Sequence, residues 1–381
     1  MATFRKRGDK WEYRISYKDP FTQSYKVKSK SGFKTKKDAQ SAASEEEIRI
    51  QNGFESDNAP VSLEYFLTDW LQTYKKDVVR KNTYTLHYQN IKKHILPYFK
   101  KLALSDLKPM MYQKFLNSLS ENEKAYSKRT IEIIHGTMFN AMEKAVTLGK
   151  INKNPCEGVT IRGQAKDKQL KYMESSDIAK FLQEAYKYNY VYWIFFKVLI
   201  ESGLRKGEAA ALQWSDIDLK EGIITVSKTL DFTAKSDDQI FGDTKTYNSK
   251  RTITISNTLS NDLLFHKKWQ NQNKLALNNT YKHDLNLVLC KPDGNFIPKS
   301  SLFNAFTRIL KRAEIQSIPI HSLRHTHAVL LLEAGADMKY VQERLGHGSI
   351  QITADVYAHI SKKIEKDTMK KYEDYMRNVL E

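Results

Sequence analysis

The spacing of apolar residues changes along this chain, and each change coincides with a polar break. Between Trp11 and Lys18 the sequence alternates, with Trp11, Tyr13, Ile15 and Tyr17 on one side and Glu12, Arg14, Ser16 and Lys18 on the other. That period of two belongs to a strand with one buried face. From Lys36 onward apolar residues recur at three and four, the period of helices. Asn52-Gly53 and Asn58-Ala59-Pro60 form a turn-rich break, and the polar stretch from Arg162 to Lys171 forms a second. A chain punctuated in this way folds as modules in series. We expect a small sheet plus helix over 1–55, a helical domain over 61–161, a linker over 162–174, a mixed, mostly helical domain over 175–360 and a terminal helix over 361–381. The fold class is mainly α with small β elements (α+β), and 381 residues suffice for more than one core.

The first module starts with a strand from Thr3 to Arg7, followed by the alternating one. Asp19-Pro20 turns the chain, and Tyr25 and Val27 then alternate with Lys26 and Lys28 in a third strand. A helix from Lys36 to Gln51 carries Ala39, Ala42, Ala43 and Ile50. The aromatic face of the sheet is expected to pack on this helix, leaving a basic face outward. Residues 1–37 hold twelve Lys and Arg against three acids, half of the whole chain's net charge of +18. So concentrated a surplus attracts polyanions, and a small sheet fits the major groove of DNA. Arg5, Lys6, Arg7, Arg14, Lys18, Lys26 and Lys28 are the candidate contacts.

In the second module Ser62 caps a helix bearing Phe66, Trp70 and Tyr74 on one face. A second helix runs from Thr83 to Ile95, stopped by Pro97, and a third from Pro109 to Leu119. Ser127 caps a fourth, with Ile131, Ile134, Met138, Ala141, Met142 and Ala145 inward. Lys75, Lys76, Arg80 and Lys81, with Lys92-Lys93 and Lys100-Lys101, make exposed basic clusters that suggest a DNA-gripping domain.

Ser176 and Asp177 begin the next helix, and Ile223–Ser227 pairs with Arg251–Ser256 as a hairpin. No run approaches the ~18 apolar residues of a membrane span, because Lys197 breaks the one from Tyr188 to Ile200. The N-terminus lacks the apolar core of a signal peptide. Cys156 and Cys290, in different modules, are expected to be reduced thiols of a cytoplasmic protein.

The third module carries the chemistry. In Glu201-Ser202-Gly203-Leu204-Arg205-Lys206-Gly207-Glu208, Gly203 ends a helix and places Arg205 in the turn opening the next. A guanidinium fixed there offers parallel donors to a phosphate, with Glu208 to hold it; a purely structural Arg–Glu pair is the other reading. In His321-Ser322-Leu323-Arg324-His325-Thr326-His327, the residues His321, Arg324 and His325 share one helical face. A metal at His321 and His325 would lack the glutamate of HExxH and would sit beside Arg324, so an anion fits better. His325 and His327 are expected to be structural hydrogen-bonders. Leu345-Gly346-His347-Gly348 places a histidine at a helix end, and Tyr357, one of 21 tyrosines, follows ten residues later.

Arg205 in SGLRKGE, His321 and Arg324 in HSLRHTH, His347 in LGH and Tyr357 in DVYAH resemble the boxes of the tyrosine recombinase (phage integrase) family. Lys245, in Gly-Asp-Thr-Lys-Thr ahead of the strand Arg251-Thr-Ile-Thr-Ile, matches the family's hairpin lysine, and Glu208 its acidic residue after the first arginine. Ser202 stands where threonine is common. The resemblance covers residues 175–360. The helical module resembles the core-site-binding domain, and residues 1–55 the arm-binding domain, of integrases from temperate phages and conjugative transposons.

The resemblance implies a site-specific recombinase that integrates and excises a mobile element. Tyr357 would attack the scissile phosphate, giving a 3′-phosphotyrosine link and a free 5′-hydroxyl. A phenol of pKa near 10 is about 0.1% ionised at neutral pH, so it needs a base and a positive field. His321 is expected to take the proton, Arg205 and Arg324 to stabilise the non-bridging oxygens, His347 to donate a further hydrogen bond and Lys245 to protonate the leaving 5′-oxygen. Neither metal nor ATP is expected. The implied partners are double-stranded attachment sites of core and arm type, three further copies of the chain in a tetramer on DNA, a host DNA-bending protein and a directionality factor. A DNA-relaxing, strand-swivelling enzyme and a regulator that has lost catalysis are the other readings.

Overall fold

The computed structural model describes residues 2–18, 23–51, 61–121, 125–163, 170–234, 240–243, 250–346, 348, 354, 356–358, 369, 372–373 and 375–380. The chain divides into two compact units, Met1–Asp167 and Lys168–Glu381.

The first unit contains two separate cores. Strands β1 (Ala2–Arg7), β2 (Lys10–Lys18) and β3 (Tyr25–Phe33) form an antiparallel sheet in the order β1-β2-β3. Helix α1 (Lys36–Gln51) supplies Ala42, Ala43 and Ile50 to a small core with Phe4, Tyr13, Ile15 and Phe33. The aromatic face does pack on the helix, as the alternation predicts.

The register corrects one expectation. Directly paired residues share a face of a sheet, and Ile15 pairs with Lys28, Tyr17 with Lys26, and Ser16 with Val27. Lys26 and Lys28 therefore lie on the side of Tyr13 and Ile15, not on the open side with Arg14 and Lys18. Lys28 reaches Glu46 of α1 at 2.5 Å and its side chain is largely covered. Tyr25 and Val27 are turned outward instead, 77% and 59% exposed. The β2–β3 register shifts between Trp11 and Glu12, leaving Gly32 of β3 without an opposite residue. Glu12, expected in solvent, is buried and accepts from Arg5 Nε at 3.0 Å.

The second core is helical. Helix α2 (Leu63–Tyr74) starts where the Ser62 side chain accepts from the amide of Tyr65 at 3.1 Å. Helix α3 (Lys81–Asn90) runs through a π-helical turn at Ile91–Ile95 into α4 (Leu96–Phe99). Pro97 therefore does not stop this helix. It sits in the first turn of α4, where its missing N–H is tolerated, and the wide turn before it makes room for the ring. Helices α5 (Pro109–Glu121) and α6 (Lys128–Thr147), the latter capped by Ser127, complete a core that includes Phe66, Trp70, Tyr112, Phe115 and Met138.

In the second unit α7 (Ser175–Tyr188) precedes α8 (Tyr190–Ser202), the long apolar run. Burial of Ile194, Phe195, Phe196, Val198 and Leu199 stabilises the unit by about 1.5–3 kcal/mol per side chain. Helix α9 (Lys206–Ala210) follows at once. Strands β4 (Ile217–Asp218), β5 (Ile223–Val226) and β8 (Arg251–Thr254) form one sheet. The expected β5–β8 pairing is present, with Ile223 opposite Thr254. A second antiparallel pair, β6 (Lys228–Leu230) and β7 (Phe241–Asp243), lies between them in sequence. Helices α10 (Asn257–Leu277), α11 (Lys299–Arg312), α12 (Ser322–Glu333) and α13 (Met338–Leu345) complete the unit. Among the described residues no helix is long and apolar enough to cross a membrane. Both cysteines are buried free thiols.

Candidate active site

The site is built where α8 ends. Gly203 closes α8 in the left-handed conformation, φ 67°, which only glycine adopts at little cost. A side chain there would also meet His327 Cδ2 at 2.5 Å and Leu345 Cδ2 at 2.6 Å. Ser202, buried, donates to Val198 O and accepts from the amide of Leu204, pinning the turn from inside. The turn delivers Arg205 to the N-cap of α9.

Glu208, one helical turn on, is 4% exposed. Its Oε1 accepts from Arg205 Nη1 at 2.6 Å, and its Oε2 accepts from the Arg205 amide at 3.0 Å and from Arg251 Nη2 at 2.9 Å. Burial alone would raise this carboxyl, but the hydrogen bond and charge of Arg251, then the charge of Arg205, bring it below its ordinary value. It is a carboxylate clamped between two guanidiniums, the buttress its spacing from Arg205 predicts.

Arg324 lies in the first turn of α12 and is 2% exposed. Its Nη1 donates to Gly203 O at 2.8 Å and its Nη2 to Leu345 O. Arg205 Nη2 donates to Gly346 O at 3.1 Å. Burial and the nearby charge of Arg205 lower the Arg324 guanidinium to about 9, still protonated at neutral pH. Arg205 keeps 34% of its side chain open to solvent and is the more accessible of the two.

His321 caps α12 from the turn just before it, not from within the helix. Its ring still meets that of His325 edge-on at 5.1 Å. Burial, then the charges of His325, Arg324, Arg205 and Lys206, push His321 down to about 4. It is therefore neutral at pH 7, able to accept a proton. His327 is the structural hydrogen-bonder the motif predicts. Its Nδ1 lies 2.8 Å from Ile200 O, and its Nε2 accepts from Arg344 Nε at 3.0 Å. For His325, the buried Nδ1 has no hydrogen-bond partner among the described residues. Among those residues no three His, Cys, Asp or Glu side chains are grouped as a metal would require.

Gly346 ends α13, as the Leu-Gly-His-Gly motif predicts, and does so in the left-handed conformation. Val356 is buried in a cluster with Ala328, Val329 and Leu332 of α12 and Val341 and Leu345 of α13. That anchors the helical turn at 356–358 against the helix carrying Arg324, and Tyr357 stands out from it, 36% exposed. Lys245 and His347 lie outside the described residues.

Two arginines escaped the sequence reading. Arg251 heads the strand in which Ile253 and Ile255 point inward, so the alternation puts a charged residue on the buried side, where it requires a partner. Arg344 Nη1 donates to Thr254 O at 2.8 Å.

The outlying cations differ in setting. Arg14, Lys18, Lys6 and Arg7 are exposed on the sheet or its edge. Arg5, though paired with Glu12, remains about half exposed. In the helical core Lys75 packs over the Trp70 ring at 5.0 Å, and Lys76, Arg80 and Lys81 are exposed.

Comparison with known proteins bears on all three segments. Residues 171–363 match the phage integrase family, 62–120 the phage integrase N-terminal SAM-like domain, and 3–50 an arm DNA-binding domain. The chain is 30% identical over 362 residues to a tyrosine recombinase XerC-like protein of Caldanaerobacter subterraneus subsp. tengcongensis, covering 90% of each. It is 29% identical to the ICEBs1 integrase of Bacillus subtilis, covering 76% of this chain and 78% of that one. The fold is similar to that of the Tn1549 transposon integrase in complex with transposon right end DNA, at TM-score 0.66 and 18% identity, over 82% of this chain and 99% of that one. A lambda integrase tetramer bound to a Holliday junction is similar at TM-score 0.56 and 19% identity, over 91% and 95%.

Proposed function

The chain belongs to the phage integrase family, and on that premise we propose how its residues carry out tyrosine-type site-specific recombination. The protein is a site-specific recombinase that cuts and rejoins DNA to integrate and excise a mobile element. One observation carries the catalytic assignment: Arg205 and Arg324, from distant segments, are fixed side by side on the carbonyls of Gly346 and Leu345, next to a neutral His321.

The scissile phosphate sits against Arg205 and Arg324. Their N–H groups not used on carbonyls stabilise the charge that builds on the non-bridging oxygens. His321 takes the proton of Tyr357 as its oxygen bonds to phosphorus. The bond to the 5′-oxygen breaks, Lys245 protonates that oxygen, and His347 donates a hydrogen bond to the phosphoryl group. The product is a 3′-phosphotyrosine and a free 5′-hydroxyl. Attack by a partner strand's 5′-hydroxyl reverses the step. The ester persists through the tyrosine, so no ATP is consumed, and fixed cations do the work for which other enzymes use Mg²⁺.

The partner is double-stranded DNA. The sheet module takes arm-type sites, the helical module and residues 175–360 take core-type sites, and four copies assemble on paired sites. The exposed apolar residues Met369, Tyr372, Tyr375 and Val379 support docking of the C-terminal helix on a neighbouring copy. A host DNA-bending protein and a directionality factor complete the assembly, in the cytoplasm of a bacterial host.

A nicked suicide substrate carrying the core site tests this reading. Wild type becomes covalently trapped at one position, whereas Tyr357→Phe binds the DNA and forms no adduct. An adduct from Tyr357→Phe on a denaturing gel would overturn the assignment of the nucleophile.

A further inference from the structure

The last turn of α13 gathers three arginines. Arg251 Nε donates to Arg344 O at 2.7 Å, Arg324 Nη2 to Leu345 O, and Arg205 Nη2 to Gly346 O at 3.1 Å. These carbonyls lie at the C-terminal end of a helix, where the helix dipole is negative. Three consecutive carbonyls are thus satisfied by three guanidiniums from β8, α12 and the turn before α9. Two of the three belong to the candidate catalytic set. The third is buried, its side chain 7% exposed, and also donates to Glu208.

We propose that Arg251 is a positioning residue for the cleavage reaction, setting the orientation of Arg205 through Glu208 and through the α13 turn. This rests on the recombinase reading. Arg251 holds Oε2 of Glu208, which leaves Oε1 aimed at Arg205 Nη1. It also holds the peptide next to the carbonyls that receive Arg324 and Arg205. The tie is reciprocal: the Arg344 side chain returns to Thr254 O of β8 at 2.8 Å. Strand β8 is thereby stapled to α13 from both sides. The staple joins the segment following Lys245 to the segment preceding His347. Arg251 is held on Glu208 Oε2 and on the carbonyl of Arg344, so its effect passes through Arg205.

Arg251→Gln and Arg251→Lys, each compared with Glu208→Gln, test this in the full-length protein. Three readouts are needed: core-site affinity, the thermal unfolding midpoint and single-turnover adduct formation on the nicked substrate. With a phosphodiester at the scissile position, Arg251→Gln should slow adduct formation by about 10²-fold, the scale of one misplaced transition-state donor. Affinity should stay within about threefold, and Arg251→Lys should recover part of the rate. With an uncharged methylphosphonate at that position, Arg205 has less charge to compensate, and the loss should shrink below about tenfold. The double variant Arg251→Gln/Glu208→Gln should be no slower than the worse single one, since both act on Arg205. Three results would overturn the proposal: Arg251→Gln cleaving at the wild-type rate, equal losses on both substrates, or multiplicative losses in the double variant. If Arg251→Gln fails to fold, Arg251→Lys carries the same comparison. Failure of the wild type itself to form an adduct would instead remove the recombinase reading.

Discussion

Gly203 shows how one backbone conformation serves several parts of the site. Its left-handed φ lets the chain leave α8 toward Arg205, its carbonyl receives Arg324, and its missing Cβ admits His327 and Leu345. Gly203→Ala adds backbone strain of about 1–3 kcal/mol and two contacts far inside van der Waals distance. The unfolding free energy from urea titration should fall by at least that amount, and adduct formation should be lost. A variant as stable and active as wild type would show that the turn is not under this constraint. The SGLRKGE motif made the glycine cap and the Arg205–Glu208 pair legible. It did not reveal that Glu208 serves a second guanidinium, because Arg251 arrives from a strand 43 residues away.

At the scale of elements, strand register overrode a sequence pattern. Tyr25, Lys26, Val27 and Lys28 alternate cleanly, and the natural reading sends the lysines outward. The pairing of β3 with β2 sets the phase, and a one-residue difference in phase exchanges the two faces. Here the lysines take the face of Tyr13 and Ile15, and Lys28 finds Glu46 of α1. The consequence is measurable. Arg14→Ala, on the open face, should lower the salt dependence of arm-site binding by about one unit of slope. Lys28→Ala should leave that slope unchanged and destabilise the sheet module by about 1.5–3 kcal/mol, the range for a hydrogen bond to a charged group. Equal slope changes from both would place Lys28 on the DNA after all. Helix α3 differs from its expected end for a related reason. Proline is a strong local signal, but a π-helical turn before Pro97 relieves the clash, and such a turn has no signature in the residues themselves.

Across the whole molecule, buried neutral histidines link stability to pH. Burial pushes His266 down to about 4, and burial followed by the charge of Arg344 does the same to His327. In the unfolded chain both titrate near 6.5. Between those values the unfolded state binds protons that the folded state refuses. Stability is therefore full above pH 6.5 and falls as pH drops toward 4, by up to about 1.4 kcal/mol per pH unit for each histidine. Urea unfolding of the full chain at pH 7.5, 6 and 5 should show the decline, and a constant midpoint would contradict the buried neutral state. What the sequence determined alone is what depends on near neighbours in the chain: periodicity, the serine caps, the glycine turns and the order of the basic residues ahead of Tyr357. Those signals act within a few residues, so they are legible in the chain alone. What the tertiary structure decided depends on residues far apart in sequence. It set the face on which Lys26 and Lys28 lie and the tautomer-fixing bonds of His327. It also brought Arg205, Arg251 and Arg324 to three successive carbonyls of one helix end. Buried polar groups must find partners, but the packing of the whole unit decides which partners come within reach.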